Sequence, residues 1–145
     1  MKRIIYMIVA ALMLISCGDK GGNKDLTLSQ KLCGEWHSTS LPIQGDIYIS
    51  FLEKGSFEMF QKIGSGAYRQ YNGTWKLEDD ILTGKYNDGE AWAAAYTVVI
   101  EGTTLTLTSK NDAEETGKYS ACTIPTEVKD MAVVVVKSSG ERLPL

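Results

Sequence analysis

From residue 34 to residue 125, apolar and polar positions alternate with period two, in short runs separated by Gly, Asn, Asp and Ser. A period of two sends successive side chains to opposite faces, so this stretch predicts strands with one buried and one wetted face. Ile47, Ile49 and Phe51 share a face of a strand starting at Gly45. After a turn at Glu53-Lys54-Gly55-Ser56, Phe57, Met59 and Gln61 oppose Glu58, Phe60 and Lys62 on the returning strand. A strand over Ala67–Leu77 follows, with Trp75 and Leu77 on one face, and then one over Ile81–Tyr86. The longest run predicts a strand over Ala91–Glu101 with Trp92, Ala94, Tyr96, Val98 and Ile100 aligned. Leu105 and Leu107 alternate with threonines over Thr104–Thr108, and Lys118–Ile124 is the eighth strand, ended by Pro125. Turn signals every ~8–12 residues point to an antiparallel barrel or sandwich and away from a parallel sheet.

Both flanks break the alternation. Leu28 and Leu32 lie one helical turn apart and lead into Gly34-Glu35-Trp36. A short helix there would deliver Trp36 to one end of the sheet as its largest plug. Beyond Pro125, Thr126–Met131 fits a helical turn capped by Thr126, and the β-branched run at Val133-Val134-Val135-Val136 has no alternation. A ninth strand is placed in this C-terminal tail.

Residues 1–16 have a different character. Lys2 and Arg3 precede an apolar run from Ile4 to Ile15 that is too short to span a bilayer comfortably, as in a secretory signal. The run closes with Leu14-Ile15-Ser16-Cys17, which resembles the lipobox of bacterial lipoproteins. That resemblance implies acylation of Cys17, with palmitate among the chains, and anchoring in the membrane of the cell envelope. With Gly18 and not Asp after the cysteine, it implies the outer membrane and leaves the leaflet open. Residues 17–24 are polar and Gly-rich, a flexible tether with nothing to bury. The remaining domain is expected over 25–145.

The whole chain has a net charge of −3; loss of Lys2 and Arg3 with the signal would leave −5 (−3 − 2 = −5). An acidic domain without a basic run is a poor nucleic-acid binder, because phosphate neutralisation dominates that affinity. Membrane attachment would then rest on the acyl chains alone.

The order of four short elements resembles the bacterial lipocalin-like family. These are Gly34-x-Trp36 after a helical turn, the hairpin Phe51-Leu52-Glu53-Lys54-Gly55-Ser56-Phe57, the strand Asn72-Gly73-Thr74-Trp75-Lys76-Leu77 with its Asp79-Asp80-Ile81-Leu82 turn, and the late hairpin from Val98 to Leu107. The resemblance covers about residues 26 to 125. It implies an all-β fold, an eight-stranded antiparallel up-and-down barrel with a short N-terminal helix. Gly34 and Trp36 would be structural positions. The long helix that follows the eighth strand in larger members has room here for barely two turns.

An eight-stranded barrel is just wide enough to fill with side chains or to hold one small ligand. Trp36, Ile47, Ile49, Phe51, Phe57, Met59, Trp75, Trp92, Tyr96, Leu105 and Leu107 are the inward candidates. They make either a packed core or an apolar cup with Trp92 and Tyr96 at its mouth, and with Trp75 and Phe51 as further ligand contacts. Two functions follow: a tethered carrier of a small apolar or amphipathic ligand, or an interaction module (accessory subunit or inhibitor-like barrel) that binds a protein partner through its loops.

Catalytic chemistry is sparse. His37 is the only histidine and is expected to face outward, so no histidine pair can hold a metal. Gly64-Ser65-Gly66 lacks the strand-to-helix setting of a nucleophile elbow. Asp79-Asp80 and Asp112 with Glu114-Glu115 read as solvated turns rather than calcium ligands. No enzyme activity, metal or cofactor is expected. Cys33 and Cys122 are the other cysteines. They either form a disulfide across the barrel seam or remain as buried thiols.

Overall fold

The computed structural model describes residues 26–64 and 66–135. The signal segment, Cys17, the 17–24 tether, Ser65 and residues 136–145 lie outside the described residues. The described chain forms helix α1 (Leu28–Leu32) and strands β1 (Gly34–Ser40), β2 (Gly45–Phe51), β3 (Ser56–Ile63), β4 (Arg69–Glu78) and β5 (Ile81–Tyr86). Strands β6 (Tyr96–Glu101), β7 (Thr104–Ser109) and β8 (Thr116–Ala121) follow, then helix α2 (Thr126–Met131) and the short strand β9 (Val133–Val134). Each of the eight long strands pairs antiparallel with its sequence neighbours, and β8 returns to β1, so the sheet closes as the alternating pattern implied.

One end of the barrel is closed. Thr27 and Gln30 form a reciprocal capping box at the start of α1, the Gln30 N–H donating to Thr27 Oγ1 at 3.1 Å. The helix then buries Leu32 against the barrel and passes into Gly34. Gly34 adopts φ +144°, a conformation that a side chain strongly disfavours, and Trp36 turns inward from it. The Trp36 indole donates to the Leu32 carbonyl at 2.9 Å, tying the plug to the helix that covers it. The Phe51–Phe57 pair brackets the β2–β3 turn, and the Trp75 indole donates to Leu52 O in that turn at 3.2 Å.

All the inward candidates are buried in one cluster, joined by Tyr71, Leu82, Tyr86, Val98 and Tyr119. Phe60, on the opposite face of β3, is buried as well (1 % exposed), because α2 packs over it from outside with Ile124 and Val128.

Three sequence expectations are corrected. Strand β6 begins at Tyr96, not Ala91. Leu82 faces Tyr96 and Lys85 bridges Ala91, so five steps of chain on one side span three on the other and two residues bulge out. Trp92 lies in the bulge: its ring sits where a β-carbon on Gly84 would be, at 2.3 Å, and its backbone N–H donates to Gly84 O. Strand β8 stops at Ala121 because Glu35 draws the next residues outward, accepting the Ile124 N–H and the Lys129 ammonium. Helix α2 is capped by Pro125, not Thr126, with no side-chain cap. The ninth strand is present, but parallel: β5 pairs with β4 only from Gly73 onward, and β9 takes the free edge at Arg69 and Gln70.

Candidate functional site

The end opposite α1 is formed by the β1–β2, β3–β4, β5–β6 and β7–β8 connections. Within it lies a cup of about 600 Å³, the scale of small-molecule pockets. The β1–β2 turn contributes Leu41, Pro42 and Ile43, and the bulge contributes Ala93 and Ala94. The β7–β8 loop adds Asn111, Asp112, Glu114 and Glu115, while Tyr96, Leu107 and Tyr119 form the floor. Small alanines at the bulge leave the space open. A hollow of about 630 Å³ at the closed end, against α1, opens more widely.

The acidic loop is held by its own hydrogen bonds. Ser109 Oγ accepts the Asn111 and Asp112 N–H groups, and the Glu114 N–H donates to Asp112 Oδ1 at 2.9 Å. Glu114 and Glu115 remain exposed. Beneath them, burial and then the Glu115 charge push the Tyr96 hydroxyl up to about 12. Burial likewise raises Tyr119, so both hydroxyls stay protonated and neutral.

The four proposed ligand contacts do not form one wall. Phe51 and Trp75 pack edge to face at 5.7 Å in the closed half. Trp92 packs on Phe57 at 5.2 Å and on Tyr96 at 6.3 Å, 94 % withdrawn from solvent. Of the four, Tyr96 alone lines the cup. Behind Trp92 and Tyr96 the inward side chains are buried in one cluster, and the cup lies above it.

Two buried polar atoms near this half, Gln61 Oε1 and Trp92 Nε1, have no hydrogen-bond partner among the described residues. Gln61 followed from alternation as an inward residue, but its isolation depends on neighbours that only the fold supplies.

His37 faces outward, as expected. It stacks on Tyr48 with ring centroids 4.1 Å apart, and its Nε2 lies 2.7 Å from Asp46 Oδ1. The Tyr68 hydroxyl donates to the other Asp46 oxygen, and the Lys62 ammonium lies 5.0 Å from the Tyr68 ring centre. Burial alone would raise the Asp46 carboxyl. The Tyr68 and His37 hydrogen bonds, with the His37 and Lys62 charges, outweigh burial and hold it below its ordinary value. Desolvation and the bond to Asp46 push the Tyr68 hydroxyl far up, which makes it a poor nucleophile. The network ties the β3–β4 loop to β2.

Of the two alternatives for Cys33 and Cys122, the structure has free, half-buried thiols. Cys33 packs against the inner cluster at the end of α1, whereas Cys122 has left β8 and packs against the outer cluster under α2. Burial raises both thiols, Glu53 adding to the effect at Cys33 and Glu35 at Cys122. Among the described residues no group of three or more His, Cys, Asp or Glu gathers to hold a metal ion, and no helix is long and apolar enough to cross a membrane.

A family model described as a lipocalin-like domain matches residues 30–107, which is 78 of the 145 residues and runs from α1 through most of β7. No curated protein matches the chain.

Proposed function

The chain belongs to the lipocalin-like domain family, and on that premise we propose that it is a lipid-anchored binding protein, not an enzyme, that takes a small amphipathic molecule in its loop-end cup. The observation that carries this is the 600 Å³ cup on an aromatic floor, above a cluster of buried inward side chains. The apolar part of the ligand would rest on Tyr96, Leu107 and the β1–β2 turn, leaving its polar end at the rim.

Isothermal titration with short-chain amphiphiles tests this against an Ala93→Trp variant, which fills the cup from an exposed position. The parent should bind, and the variant should lose about tenfold or more in affinity, equivalent to ~1.4 kcal/mol. Unaltered binding in the variant would contradict the site. Anchoring rests on Cys17 at the end of the apolar run. Cys17→Ala should leave an unprocessed or soluble precursor, and unchanged partitioning into detergent would contradict acylation.

A second reading, a protein-interaction lipoprotein, draws on the exposed Met131, Val133 and Val134 along α2 and β9. Failure of every amphiphile to bind would favour it.

A further inference from the structure

The lining of the cup is one-sided in charge. Asp112, Glu114 and Glu115 contribute three carboxylates, and among the described residues no Lys, Arg or His lines it. Lys110, the nearest basic residue in sequence, is exposed and outside the lining. Elsewhere in the molecule, acids that serve the fold are paired: Glu35 with Lys129 at 3.1 Å, and Asp46 with His37 at 2.7 Å. The Glu114 and Glu115 carboxylates have no such partner among the described residues. Their field reaches the floor, where the Glu115 charge acts on the Tyr96 hydroxyl. The opposite wall, Leu41, Pro42 and Ile43, is apolar.

Resting on the reading of the cup as the ligand site, we infer that its ligand is a cationic amphiphile, an organic ammonium with an apolar body. The ammonium sits among the rim carboxylates, and the body covers the apolar turn and the tyrosine floor. Tyrosine faces also attract a cation directly. A fatty acid would bring a fourth negative charge to the same rim and is disfavoured. The carboxylates are solvated before binding, so the site pays little desolvation until the ligand arrives, and the preference weakens as salt screens it.

Three octyl probes that share a tail and differ in charge separate this inference from the reading beneath it: octyltrimethylammonium, octanol and octanoate, titrated calorimetrically into the protein. The ammonium should bind about tenfold or more tightly than octanoate at low salt, since several exposed charge pairs act together. That ratio should shrink in high salt. In the triple variant D112N/E114Q/E115Q it should fall to about one. The asparagine keeps the oxygen that accepts the Glu114 N–H, so the loop keeps its turn, and an unchanged melting temperature checks the fold.

Equal binding of all three probes, or tighter octanoate, would overturn the cationic assignment while leaving the cup as a ligand site. A preference for the ammonium that survives the triple variant would overturn the role of these carboxylates. Absence of binding by any probe would remove the cup reading and the inference together.

Discussion

Trp36, Ile49, Phe51, Trp75, Leu82 and Leu105 fill the closed end of the barrel, under a helix that is tied to its Trp plug. At the loop end the same eight strands direct Tyr71, Tyr86, Tyr96, Tyr119, Ser38, Ser109 and Gln61 inward, all buried. The lower half is apolar and held by packing. The upper half is equally buried but amphipathic: its Gln61 Oε1 has no partner among the described residues, and above it the loops enclose a cup with an acidic rim. One half can therefore serve as the stability reservoir while the other keeps open space and polar groups for a ligand.

The largest effect should come from the closed half. Leu105 is fully buried, so Leu105→Ala should cost about 2–5 kcal/mol, the transfer term plus the cavity left behind. Chemical denaturation measures it. A loss no larger than that of an exposed substitution such as Val99→Ala would remove the distinction between the halves.

The outer clamp gives a smaller, pH-dependent effect. The Asp46 carboxyl is held below its ordinary value, so the folded state favours the ionised form. Its contribution is complete above the unfolded carboxylate range and fades as pH falls through the folded value. Asp46 is partly exposed, so Asp46→Asn should cost only about 0.5–1 kcal/mol near neutrality, and less in acid. A cost that grows on acidification would contradict the sign.

The smallest change should run the other way. Gln61→Leu replaces a buried amide whose oxygen lacks a partner among the described residues with an apolar side chain of similar size, and should leave stability unchanged or raise it by up to about 1 kcal/mol. A loss comparable to Leu105→Ala would show that the upper half is packed as tightly as the lower.

Much of this division was legible in the sequence, because alternation alone tells which face of each strand is buried. The inward set from Trp36 to Leu107 followed from it, and the T-x-x-Q spacing of Thr27 and Gln30 carries a capping-box signal. Burial of Phe60 was not legible. Period two assigns it to the wet face, and only α2, arriving some 65 residues later, covers it. The bulge at Trp92 was hidden for a related reason: Ala91–Glu101 alternates without fault, and the break lies against Gly84 on the neighbouring strand. The acidic loop was visible, but its meeting with Leu41–Ile43 and Ala93 depends on barrel closure. So does the Asp46 network, whose members are 9 and 22 residues away along the chain.

The depth at which a ligand sits tests the account most directly. The three tryptophans report on it, since each indole N–H gives its own signal in a nitrogen–proton correlation spectrum. Trp36 and Trp75 lie in the closed half, and Trp92 touches Tyr96 just below the cup. On titration with octyltrimethylammonium, the Trp92 indole and the backbone amides of Tyr96 and Gly117 should move, while the Trp36 and Trp75 indoles stay within their line widths. Movement of Trp36 and Trp75 with the ligand would place it in the closed half and contradict the account.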